Sequence, residues 1–190
     1  MEKASIFDYS FAHNYELECP TMLSGGGEVP QWYYPSGTQR GGACGGGLTI
    51  KVMARDVPPW FACVDPGWTA CERILSTPHP DRFCVVSGGE VYVIDSRNPQ
   101  AFETGPEVMT TVQAIPERRA ILFGSYTDLH LYGERGWHWS SGRLCLDCLK
   151  ILAVGDGIIH GQGFDGARED VPFSVDIESG RILRSALGIA

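Results

Sequence analysis

Cys145-Leu-Asp-Cys148 has the spacing of zinc knuckles and redox turns. A structural zinc ion needs two further ligands, and neither a second C-x-x-C nor an H-x3-H accompanies this one. Read as a strand, LCLDCLKI sends positions 145 and 148 to opposite faces, so two buried structural thiols are expected and no metal is assigned. Cys63 and Cys71 enclose VDPGWTA, a loop able to bring them together as a disulfide or redox pair. The five histidines (His13, His79, His130, His138, His160) are widely spaced; His130 and His160 hold corresponding places in two similar segments and could converge in space, but ordinary strand histidines, facing solvent or hydrogen-bonded, are the reading preferred. A hydrolytic site would need His130, His138 or His160 beside Asp156 or Asp165. Ser87 and Ser125 lack the G-x-S-x-G elbow and read as turn serines. FDGARED (residues 164–170) offers Asp165, Glu169 and Asp170, but its spacing is not that of a calcium loop, so it reads as a solvated acidic turn.

The aromatic groups are the preferred contact residues. Trp32, Tyr33 and Tyr34 lie beside prolines in what reads as a polar loop, and Trp60 and Trp68 flank FACVDPG. In Trp137-His138-Trp139, strand alternation puts both indoles on one face. Indoles bury large areas and also form platforms for sugars or partner side chains.

The elements that must position these residues read as strands. Residues 48–54 (LTIKVMA) alternate apolar and polar side chains, Pro58-Pro59 breaks the run, and residues 60–65 (WFACVD) begin the next strand. Phe7, Tyr9 and Phe11 share one face of a first strand. TACERILS (69–76) is the best short-helix candidate. FCVVSGGEVYVID (83–95) is a hairpin on a Gly-Gly turn, and residues 108–115 (VMTTVQAI) form a further strand. VVSGGEVYVI, ILFGSYTDLHLY and ILAVGDGIIHG repeat one figure, with turns around Gly88, Gly124 and Gly155. A propeller blade takes about forty residues, and four copies are not found. The expectation is therefore a single all-β domain over 1–190, a sandwich or partly open barrel of successive hairpins, with a small propeller-like fold as the alternative. Residues 1–47 are less regular, and the glycine tracts Gly25–Gly27 and Gly45–Gly47 read as connections, since no GK[ST] follows either.

The chain has 190 residues, 43% hydrophobic and 20% charged, with 24 Gly and 12 Pro, a composition that fits a globular domain with many turns. The net charge is −8 and the basic residues are scattered, which argues against nucleic acid. No apolar segment reads as a signal peptide or membrane span, and the seven cysteines form an odd set, so a cytoplasmic protein with reduced, mostly buried thiols is expected.

Trp137, Leu144, Asp147, Leu149, Gly161 and Asp165, closed by Val171-Pro172-Phe173, Val175-Asp176 and Gly180, form a C-terminal pattern. It resembles that of an uncharacterised family of mainly bacterial proteins with no assigned activity. The resemblance implies a β-rich fold and nothing catalytic.

The function expected is a non-enzymatic module that binds another protein through Trp32, Tyr33, Tyr34, Trp60, Trp68, Trp137, His138 and Trp139, with no cofactor. One version is an acidic protein that masks a basic target. The alternatives are the small hydrolase above and a small-ligand or sugar-binding module using Trp137 and Trp139.

Overall fold

The computed structural model describes residues 6–20, 29–39 and 47–188. The tracts Gly25–Gly27 and Gly45–Gly46 lie outside the described residues. The chain is all-β, and it forms two compact units, Met1–Val108 and Met109–Ala190.

In the first unit the strands are β1 (Phe7–Asp8), β2 (Tyr15–Glu18), β3 (Gln31–Tyr34), β4 (Thr38–Gln39), β5 (Leu48–Ala54), β6 (Trp60–Val64), β7 (Arg73–Ser76), β8 (Arg82–Ser87), β9 (Glu90–Asp95) and β10 (Phe102–Thr104). They make two five-stranded sheets, ordered β1-β7-β8-β9-β10 and β2-β5-β6-β3-β4. Consecutive strands supply most antiparallel pairs, β2 pairs antiparallel with the distant β5, and β1 joins β7 and β3 joins β6 in parallel. One core unites the sheets: Leu17, Ile50, Val52, Trp60, Ala62 and Tyr34 from one, and Ile74, Phe83, Val85, Tyr92 and Ile94 from the other.

The second unit holds two four-stranded up-and-down sheets. The first is β11 (Thr111–Ile115), β12 (Ala120–Gly124), β13 (Leu129–Gly133) and β14 (Gly136–Ser140), and the second is β15 (Asp147–Gly155), β16 (Ile158–Phe164), β17 (Val171–Asp176) and β18 (Ile182–Arg184). Leu122, Leu129 and Leu131 meet Leu149, Ile159, Phe173 and Val175 in their shared core.

The turns follow from residue type. Gly88 and Gly89 (φ +56° and +88°) close β8 onto β9, and Asp156-Gly157 (φ +51° and +79°) close β15 onto β16, the paired positive φ of tight hairpins.

Three local expectations are corrected. TACERILS is no helix: Arg73–Ser76 is strand β7, hydrogen-bonded between β1 and β8. A two-turn helix is marginal alone, whereas the strand buries Ile74 and Leu75 within the sheet. The first strand spans only Phe7–Asp8, and Tyr9 is exposed. Trp32–Tyr34 lie in strand β3 rather than a polar loop.

Candidate functional site

The eight expected contact residues divide by burial. Tyr34 is fully buried, edge-on to Phe102, and its hydroxyl donates to the Pro99 carbonyl at 2.7 Å. Burial pushes its phenol pKa up. Trp32 packs against the same core, and the half-buried Tyr33 donates its hydroxyl to Gln31 Oε1 at 3.0 Å. Trp60 is buried against Phe83 and donates its Nε1 proton to the Ser96 carbonyl at 3.0 Å. Tyr34, Trp60 and Trp32 thus belong to the first unit's core.

Trp137 and Trp139 lie on opposite faces, which corrects the expectation that strand alternation would align them. In the pairing of β13 with β14, Leu131 opposes Trp139 while Tyr132 opposes Trp137, so His138 is an extra residue in β14. A bulge of this kind reverses the facing of the strand beyond it. Trp139 accordingly packs on the second unit's core and donates to the Ile177 carbonyl at 3.0 Å. Trp137 turns to the other side, 5.2 Å between centroids from both Phe123 and Tyr132. His138 is exposed and lies over Gly133, where a Cβ would fall 2.4 Å from its Nε2.

Trp68 differs from the other tryptophans: it is 70% exposed. Its loop is nevertheless fixed. Gly67 N–H donates to the Ser87 carbonyl, Thr69 N–H to that of Gly88, and Gly89 N–H to that of Cys71, at 2.9, 2.9 and 3.0 Å. The loop is thus tied by backbone bonds to the β8–β9 turn. Asp65 and Glu72 in the loop and Glu90 beside it carry negative charge, with Arg73 the cation next to Glu72, and both Glu90 and Asp65 help raise the Tyr92 phenol to about 12, after burial as the main cause.

The other chemistry-bearing residues are placed as follows. Cys145 is buried and Cys148 exposed, both free thiols, which corrects the expectation of two buried thiols on one strand: β15 begins only at Asp147, so Cys145 lies before it. Burial raises the Cys145 thiol to about 11. Cys71 is a free thiol while Cys63 is disulfide-bonded, so Cys63 and Cys71 do not pair with each other, and the expectation of reduced thiols is corrected at Cys63. His130 is buried on β13 and His160 exposed on β16, each on the face turned away from the second unit's core, so they do not converge. Asp128 places a carboxylate oxygen within 4.8 Å of a His130 ring nitrogen. Asp165 accepts from the backbone N–H groups of Ala167 and Arg168 at 2.9 and 2.7 Å and is gripped by the Arg168 guanidinium, which together hold its carboxyl down at about 2. Asp170 pairs with Lys150 at 3.0 Å. Ser125 Oγ accepts from the N–H groups of Thr127 and Asp128, a turn role.

One feature of the first unit carries no sequence motif. Asn14, Arg55, Asp56, Asp81 and Arg97, from four separate loops, line a cleft of about 280 Å3. A neighbouring concavity of about 510 Å3 shares Asn14 and Arg55 and adds His13 and Met53. His13 stacks between Tyr9 and Tyr15, at 4.7 and 5.0 Å.

Among the described residues, no helix is long and apolar enough to cross a membrane. No protein-family model matches the chain, and no curated protein matches it.

Proposed function

We propose that the protein is a non-enzymatic interaction module and that Trp68 anchors its protein partner. The observation that carries this reading is an indole 70% exposed on a loop tied down by three backbone hydrogen bonds. A large side chain presented on fixed backbone loses little conformational freedom when a partner covers it, and tryptophan is enriched among residues that dominate binding energy. Asp65, Glu72 and Glu90 outnumber the one neighbouring cation, Arg73, which suits a partner with an apolar pocket bordered by Lys or Arg. The net charge of −8 points the same way.

Incorporating a photo-crosslinking phenylalanine analogue at position 68, and separately at the exposed Leu152, tests this in the native host. A discrete adduct from position 68 and none from position 152 supports the reading. Equal, diffuse labelling from both positions contradicts it.

A further inference from the structure

We infer that the loop end of the first unit binds a small dipolar ligand, one carrying both a carboxylate and an amino group, such as a dipeptide. Two guanidiniums, Arg55 and Arg97, line the 280 Å3 cleft, and neither makes an ion pair among the described residues. A guanidinium presents a planar fork of donors matched to a carboxylate, and two on one cleft can share its oxygens.

The walls are fixed before any ligand arrives. Arg97 N–H and Asn98 N–H both donate to Asp95 Oδ1, at 2.8 and 3.0 Å, and Ser96 N–H donates to the Asp81 carbonyl at 2.8 Å. Asn14 N–H donates to the Pro80 carbonyl at 2.9 Å, which ties the β1–β2 loop to the β7–β8 loop.

Charge balance selects a dipolar ligand over a simple anion. Asp56 and Asp81 line the same cleft, so its formal charges cancel and an isolated oxyanion gains little net attraction. A ligand with both signs finds a partner for each charge. Its carboxylate faces Arg55 and Arg97, and its ammonium faces Asp56 and Asp81. Asp81 Oδ1 is held by Asn14 Nδ2 at 2.9 Å, which leaves its second oxygen for the ligand. The adjoining concavity, with His13 and Met53 in its wall, has room for an attached side chain.

The test is an NMR titration of the full chain that follows the arginine Nε–H signals. The probes are L-alanyl-L-alanine, acetate and methylammonium. Arg55→Gln and Arg97→Gln serve as variants, since both positions are exposed and amide dispersion reports whether each folds. The expected result is saturable shifts with the dipeptide, an affinity at least about tenfold above that of acetate or methylammonium, and a loss of about tenfold in each variant. Absence of saturation, acetate binding as tightly as the dipeptide, or folded variants that bind like the parent would overturn it. None of these outcomes bears on Trp68, which lies on another loop.

Discussion

Gly67 and Gly88 pack backbone against backbone: a Cβ on Gly67 would fall 2.4 Å from the Gly88 carbonyl oxygen, and one on Gly88 would fall 2.6 Å from the Gly67 carbonyl carbon. Neither position has room for a side chain, and Gly88 also needs φ +56°. This contact holds the Trp68 loop on the β8–β9 turn. Gly88→Ala is therefore expected to destabilise the protein by about 2 kcal/mol or more, from the clash and the left-handed backbone together. Gly155→Ala, where a Cβ would meet nothing within 4 Å, is the control and should cost under about 1 kcal/mol. Urea unfolding of the two variants provides the comparison.

The buried and exposed indoles should separate by stability. Trp60→Ala empties a core position and strands the Ser96 carbonyl, at a cost of about 3–5 kcal/mol. Trp68→Ala should stay within about 0.5 kcal/mol of the parent. Equal losses in thermal unfolding would contradict the assignment of Trp68 to the surface.

The bulge at His138 predicts that Trp137 and Trp139 act independently. They pack on opposite faces of β14, so the coupling energy of Trp137→Ala with Trp139→Ala should be below about 0.5 kcal/mol in a double-mutant cycle. Indoles sharing one face would couple more strongly. Both single variants must remain folded at the temperature of measurement.

Asp165 sets an acid limit on its loop. The folded carboxyl, held down by the Ala167 and Arg168 N–H groups and the Arg168 guanidinium, titrates at about 2, below the value of about 3.9 in an unfolded chain. Its contribution is fully present above pH about 4 and is lost as pH falls toward 2, because the unfolded chain takes up the proton first. The stability difference between the parent and Asp165→Asn should therefore be constant from pH 7 to about 5 and shrink below about 4. A difference that grows on acidification would contradict this.

Much of the strand order was legible in local signals. Gly88-Gly89 marks a tight hairpin whatever surrounds it, and the alternation over Leu48–Ala54 requires a half-buried strand. Where the reading departed from the structure, long-range pairing decided the outcome. Arg73–Ser76 becomes a strand because β1 and β8 lie on either side of it. The bulge that divides Trp137 from Trp139 depends on register with β13, and no residue type announces it. Tyr34 and Trp60 read as contact residues because indoles and phenols serve cores and interfaces alike; burial alone tells them apart. The Arg55–Arg97 cleft draws on four loops with no common motif, so only folding brings its residues together.

The claim that Trp68 anchors a protein partner is tested most directly by quantitative affinity capture from the native host with the parent, Trp68→Ala and Trp68→Phe chains side by side. The account predicts a specific protein bound by the parent, reduced at least about tenfold by alanine and partly restored by phenylalanine, with all three chains equally folded. Capture of that protein in equal amounts by the parent and Trp68→Ala would contradict it.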